Sequence, residues 1–338
     1  RPFLREHYGG VAVPGPGGGR TLRFPRRAPP VPVRYSLAAV YPRLYAELLR
    51  TLGALRLAVF MRPWGPGRRA GEAPAGAAEL VRLGLLKRLE SSVSAFRASV
   101  ARQVRYHEAF LAALARGRLL APADHRALYE AGGDGDVVQL VLEELALAPC
   151  PAWFDARRLA AAARADLARL RRLHRRLAAV PAGEDPKLAR FPALLDGELR
   201  GEKVVVFTEF RDTARALWRS LAPRGGVALV DGGGAYLGLR PCGRRQAVER
   251  FAPRANGARD PPARERVDVL VATDVLAEGL NLQDAACVVS YDLPWNPVRL
   301  IQRVGRVDRL GSPHEEVRAY HFLPEEGLER LLGLVARL

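Results

Sequence analysis

Val204-Val-Val-Phe-Thr-Glu-Phe-Arg-Asp-Thr-Ala-Arg-Ala-Leu-Trp-Arg-Ser-Leu221 begins as a short Val-rich apolar run and continues, from Thr213, with apolar residues at helical spacing. A short β-branched run without alternation predicts a strand buried on both faces, and the change of period predicts a helix packed back onto it. The unit recurs downstream. Val227 to Val230, Val267 to Ala272, Cys287 to Tyr291 and Val317 to Phe322 are further Val-rich runs, with helical patterns at Arg244 to Phe251 and Pro297 to Leu310. Strands alternating with helices predict an α/β fold built on a parallel sheet with helices on both faces. Such sheets bind ligands beyond the carboxyl ends of their strands, so the loops after Phe207, Thr273 and Tyr291 are where chemistry is expected.

Before Pro181 the period is helical. Tyr41 to Val59 carries apolar residues at helical spacing, and Leu80 to Leu114 reads as one long amphipathic helix with Leu85, Leu89, Val93, Phe96 and Val100 at three- and four-residue steps. Asp136 to Leu147 and Asp155 to Leu177 read as further helices, the last with an Arg-dense exposed face. Arg1 to about Pro32 and Arg62 to Gly76 are Gly, Pro and Arg without periodicity, which predicts loops or linkers. The expected organisation is therefore a linker over 1–37, a mainly helical region over 38–180 with a Pro/Gly-rich loop at 62–76, and the α/β domain over 181–338.

The 338 residues, 49% apolar, suffice for a large core, which excludes a disordered tail or a disulfide-stapled miniature. Arg interrupts every Leu/Ala-rich stretch, so no membrane-spanning segment is expected. Cys150, Cys242 and Cys287 lie far apart and without zinc-ligand spacing, and read as buried hydrophobes of a reducing, cytoplasmic compartment. Because the chain starts at Arg1 and its single methionine is Met61, it is expected to be the back half of a larger protein. The net charge of +17 suits a polyanionic partner. GC-rich coding sequence would produce the same surplus of Arg, so the charge alone leaves both readings open.

Gln302-Arg-Val-Gly-Arg-Val-Asp-Arg-Leu-Gly311 carries the strongest chemical signal. On a helix Gln302, Arg306 and Arg309 share one face, while Leu300, Val304 and Val307 share another. One face anchors in a core and the other presents two guanidiniums, which keep their charge and match phosphate oxygens. Arg303 lies off that face, and its alanine variant is expected to keep most activity. His314 and His321 lack partners at ligand or triad spacing and read as structural.

Together with Val204 to Ala214, Val269 to Gln283 and Tyr291-Asp-Leu-Pro-Trp-Asn-Pro297, this run resembles motifs IV, V, Va and VI of superfamily 2 helicases, in order and at the right spacing. Asp231-Gly232, with Arg245 and Phe251, resembles the segment between motifs IV and V. Asn281-Leu-Gln and Trp295-Asn-Pro look like the Swi/Snf-type translocase branch. Gly305 and Asp308 are more similar to its bacterial members, such as the RNA-polymerase-recycling ATPase or helicases of phage-defence systems. The likeness covers roughly residues 185 to 323. Leu85-Leu-Lys-Arg-Leu-Glu-Ser-Ser-Val-Ser-Ala-Phe96 is similar to a helix of that branch, and Arg1 to Leu37 to the tail of its first lobe.

The resemblance implies the second of two RecA-like lobes that bind ATP between them. No GxxxxGK[ST] loop and no Asp-Glu-x-His type motif occurs; Gly15 to Thr21 lacks both the Lys and the spacing. ATP with Mg2+ would therefore be held mainly by a first lobe outside this chain. Arg306 and Arg309 would be arginine fingers on the ATP phosphates. Gln302, Gly279, Glu278 and Asn281 would serve the nucleotide side. Thr208, Thr273 and Trp295 would serve DNA, expected to be duplex and read without sequence preference. Protein partners from a defence or transcription complex fit the same resemblance. A different class stays open, namely a stand-alone nucleic-acid or protein-binding module without ATPase activity.

Overall fold

The computed structural model describes residues 11–13, 20–22, 24–60, 75–119, 148–149, 155–181, 185–274 and 279–333. The expected helix at Asp136 to Leu147, most of the loop at 62–76, Cys150 and Glu278 lie outside them. The chain forms two compact units, one of residues 37–89 and 95–182 and one of residues 1–36, 90–94 and 183–338.

The first unit is helical. Its helices are α1 (Pro42–Ala54), α2 (Ala75–Ser91), α3 (Val93–Ala115) and α4 (Ala156–Ala178). On α4 the buried Leu167, Leu170, Leu173 and Leu177 recur at three- and four-residue steps, while Arg171, Arg172, Arg175 and Arg176 stay exposed. Asp155 caps its start by accepting from the Arg158 N–H at 2.9 Å. The fully buried Asp166 carboxylate accepts from the N–H groups of Arg56 (3.0 Å) and Leu57 (2.7 Å), which pins Leu57 at the left-handed φ of 53°.

The single helix expected over Leu80 to Leu114 is two helices broken at Ser92. The Val93 N–H, which would continue the helix, donates instead to Asp185 Oδ2 at 3.2 Å. The hydroxyls of Ser91 and Ser92 are buried against side chains, and residues 90–94 belong to the second unit.

That second unit is a nine-stranded sheet. Its strands are β1 (Arg26–Arg27), β2 (Val31–Val33), β3 (Val204–Thr208), β4 (Val227–Asp231), β5 (Gly234–Leu237), β6 (Arg240–Cys242), β7 (Val269–Thr273), β8 (Cys287–Ser290) and β9 (Glu316–Phe322). The order is β6-β5-β4-β7-β3-β8-β9-β1, with β2 also on β9. All pairs from β4 to β1 are parallel, as the alternating pattern predicts.

Two findings differ from the expectation. β5 and β6 run antiparallel, because the two-residue connections Gly232-Gly233 and Gly238-Leu239 permit nothing else. The first 37 residues, read as a linker, supply β1 and β2 at the sheet edge; strands of two and three residues are too short to show a period.

Helices α5 (Pro186–Asp196), α6 (Arg211–Leu221), α7 (Arg244–Phe251), α8 (Val298–Val304) and α9 (Glu326–Leu332) complete the unit. Every residue of β3, β4 and β7 is buried, so each strand feeds two cores. Val204 and Val206 face Phe191, Leu217, Leu221 and Tyr291 on one side. Val205 and Phe207 face Phe251, Leu282 and Val307 on the other.

The expected Pro297 to Leu310 helix ends early, at Val304. Gly305 is a weak helix former, and the carbonyl of Arg306 is taken from outside by the Leu282 N–H at 3.3 Å. Arg306 to Asp308 are therefore turn residues, and Arg309 is not on the helix that carries Gln302.

Candidate nucleotide and nucleic-acid site

The carboxyl ends of β3, β7 and β8 bring the motif residues together. Thr208 and Thr273 close adjacent strands and are partners in register. Asp274 and Asp292 follow the ends of β7 and β8, and α8 starts six residues beyond Asp292 with Val298.

Arg303 organises this end of the sheet. Its Nε and Nη2 donate to the two oxygens of Asp274 at 2.7 Å each, a bidentate pair. Nη1 donates to the Asp292 carbonyl at 2.7 Å, and Nη2 also approaches Asp292 Oδ1 at 3.4 Å. Only 2% of the side chain is exposed. Burial works against the guanidinium's charge, but the Asp274 bonds and the charges of Asp274 and Asp292 outweigh it, holding its pKa above the usual value. Arg303, which the sequence reading set aside, lies off the Gln302 and Arg306 face because it points into the sheet.

Asp292 is fully buried and collects donors from several segments. Its Oδ2 accepts from the hydroxyls of Thr208 and, at 2.6 Å, Ser91; its Oδ1 accepts from the Glu209 N–H at 3.0 Å. The Thr208 hydroxyl is thus turned inward, and it accepts from the Phe210 N–H at 3.3 Å. A phosphate contact from that hydroxyl requires those bonds to open. Thr273 is likewise buried. Trp295 is half-buried after β8.

The two proposed fingers differ in setting. Arg309 donates through Nη1 to Asn281 Oδ1, which joins two residues that the sequence reading had assigned to the nucleotide side. Arg306 is half-buried, and among the described residues its guanidinium makes no hydrogen bond or ion pair, although its backbone is held by Leu282. Gln302 is exposed on α8. Gly279 is exposed at φ 86°, a left-handed turn that a side chain would strain, with open space where a Cβ would project. Glu278 lies outside the described residues.

His314 bonds the Asp284 carbonyl through Nε2 at 2.9 Å, in keeping with a structural role. His321 is buried, and desolvation followed by the charge of Arg303 depresses its pKa to about 4. Sequence reasoning missed Asp274, Asp292 and Ser91. All three stand inside quoted motif segments, but nothing in their spacing marks them as partners of Arg303 or of one another.

Arg303→Ala is expected to lower the unfolding free energy by about 3–5 kcal/mol, because it leaves the buried Asp292 carboxylate without its cation and the partly buried Asp274 without its bidentate partner. Arg306→Ala should stay within about 0.5 kcal/mol of the parent, as expected away from buried networks. Urea denaturation of the two variants makes the comparison, and equal losses would contradict the assigned packing. A second expectation concerns pH. Unfolded His321 takes its proton near the usual 6.5, whereas the folded residue does so only near 4. The unfolded state therefore binds more protons between these values, and stability falls as pH drops through that window, by about 3 kcal/mol in all. His321→Leu should lose that share of the pH dependence in melts taken between pH 7 and 4; an unchanged profile would remove His321 from the account.

Comparison with known proteins agrees with this geometry. The helicase conserved C-terminal domain family matches residues 186–311. An uncharacterized ATP-dependent helicase, YqhH of Bacillus subtilis, is 34% identical over 128 residues, which is 38% of this chain and 20% of that protein. The RNA polymerase-associated protein RapA of Vibrio parahaemolyticus is 35% identical over 115 residues, 34% of this chain and 11% of its own. The chain thus spans a fifth or less of the length of these curated relatives. The crystal structure of the C-terminal part of the Fun30 ATPase domain superposes with a TM-score of 0.50 at 14% identity, covering 92% of this chain and 90% of that one, a likeness of fold. Residues 186–311 match the helicase conserved C-terminal domain family, and the sheet has the RecA-like fold of a helicase C-terminal lobe.

Proposed function

We propose that this chain is the C-terminal half of an ATP-dependent DNA translocase or helicase of the Swi/Snf type, whose first RecA-like lobe binds ATP and is supplied from outside these residues. The observation that carries the reading is Arg306. A guanidinium held by its backbone, beside a buried ion-pair network, and left without an internal partner among the described residues is prepared for an external anion. The family match and the names of the two relatives supply the class of anion, the phosphates of ATP.

In this reading ATP is sandwiched between the lobes. Arg306 meets the charge that grows on the phosphoryl oxygens as the terminal phosphate leaves, and Arg309, steadied by Asn281, stands beside it. Gln302, Gly279 and, by sequence alone, Glu278 are assigned to the nucleotide side as well. Mg2+ is assigned, with ATP, mainly to the first lobe, and no step is routed through it here.

DNA lies across the ends of β3 and β7, where Thr208, Thr273 and Trp295 contact or shape the track. The duplex is engaged through its backbone without sequence preference. The name of RapA suggests a transcription complex as partner, and phage-defence complexes remain the other candidate. No helix of the described residues is long and apolar enough to cross a membrane.

The test is phosphate release in the presence of DNA. Joined to a first lobe, the protein should turn over ATP, and Arg306→Ala should lower kcat at least about a hundredfold with DNA affinity nearly unchanged. The chain alone should release no phosphate. It should bind DNA with an affinity that falls steeply as salt rises. Turnover by the chain alone that disappears in Arg306→Ala would overturn the two-lobe reading. Absence of turnover with any first lobe, with DNA binding retained, would favour a stand-alone binding module.

A further inference from the structure

The break between α2 and α3 is wired into the candidate site. Glu90, Ser91 and Ser92 are all buried. Lys187 donates from Nζ to the Glu90 carbonyl at 2.5 Å and lies 3.5 Å from Glu90 Oε1, while its ammonium sits over the rings of Tyr291 (4.7 Å) and Tyr35 (5.0 Å). The Val93 N–H donates to Asp185 Oδ2 at 3.2 Å. These contacts fix the backbone on both sides of Ser91.

The hydroxyls then form a directed chain. An ionised carboxylate only accepts, so Ser91 must give its single proton to Asp292 Oδ2. Thr213, 2.7 Å from Ser91 Oγ, must therefore donate to Ser91, and Ser92, 2.8 Å from Thr213 Oγ1, must donate to Thr213. The polarity of all three is set by the one charge at their end.

A carboxylate offers about four lone-pair sites. Those of Asp292 meet, among other partners, the Thr208 hydroxyl at the end of β3, the Glu209 N–H in the following loop, Arg303 on α8, and Ser91 at the helix break. Arg303 in turn leads to Arg306 three residues on, whose carbonyl accepts from Leu282.

We propose that Ser91 is a positioning residue: by donating to Asp292 it fixes both the loop after β3 and the segment that carries Arg306. This rests on the proposed function for what those segments do, but not for the coupling itself. Residues on either side of 90–94 belong to the helical unit, so the break puts a residue of that stretch of chain into the arginine-bearing network.

Amide hydrogen exchange on the chain as it stands tests the coupling. Ser91→Ala should lower protection of the Glu209 and Leu282 amides together by about tenfold, the worth of one buried hydrogen bond, while Val205 to Phe207 stay as protected as in the parent. Ser91→Thr, which keeps the hydroxyl, should restore both. Should Ser91→Ala fail to fold, Asp292→Asn serves, because the hydroxyls can turn to accept from its amide; the same two amides should loosen. Loosening at Glu209 alone, with Leu282 unchanged, would overturn the proposal and make Asp292 a local cap. In the protein joined to its first lobe, Ser91→Ala should lower kcat about tenfold with the KM for ATP unchanged, and Ser91→Thr should rescue it. A change in KM alone would also contradict positioning. If the parent itself hydrolyses no ATP, the functional reading fails, while the exchange result still decides the coupling.

Discussion

A guanidinium with 2% of its side chain exposed lies between two carboxylates at the end of a parallel sheet, and the geometry of the site follows from it. Removing Arg303, Asp274 and Asp292 from water costs several kcal/mol per ion before any bond is made. The cost is offset only if the groups meet in one arrangement, with the bidentate pair to Asp274 and the two contacts to Asp292 all formed. Three elements are thereby tied at one point, namely the end of β7, the end of β8 and helix α8. A hydrophobic residue in place of Arg303 could fill the volume, but it would not fix the angle at which α8 leaves the sheet.

The contrast between neighbouring arginines turns this packing into a mechanism. Arg303 uses its donors inside the protein, and Arg309 spends one on Asn281. Arg306 is backbone-anchored through Leu282, and its side chain has no partner among the described residues. Catalysis of phosphoryl transfer asks for positive charge that is already in place when negative charge develops. A finger on a segment tied to the sheet meets that requirement better than one on a free loop. The inward-turned Thr208 links the same network to the loop proposed to meet DNA, so the two proposed functions share one carboxylate.

The sheet was legible because its strands are buried on both faces, which leaves unbroken Val-rich runs at β3, β4, β7 and β8. The edge was less so: β1 and β2 are held by backbone pairing to β9, which places no demand on composition. In the site, the run from Gln302 to Gly311 pointed to Arg306 and Arg309, yet helical spacing placed Arg309 on a helix that ends at Val304. Arg303 was set aside and Ser91 passed over for a shared reason. Periodicity treats a polar residue as exposed, and nothing local shows that Arg303 has partners 29 and 11 residues away, or Ser91 one 201 residues away. Buried polar networks are closed by tertiary contacts, so their members look like surface residues until the fold brings them together.

The central claim is that Arg306 acts on the transition state and is held ready for it. The most direct measurement compares two affinities in the protein joined to its first lobe: that for a non-hydrolysable ATP analogue and that for ADP with aluminium fluoride, which mimics the phosphoryl group in flight. The account predicts that Arg306→Ala weakens binding of the aluminium fluoride complex by about a hundredfold or more while the ATP analogue binds as before. Equal weakening of both would show that Arg306 only holds the ground-state nucleotide, and no weakening of either would show that it does not face the nucleotide at all.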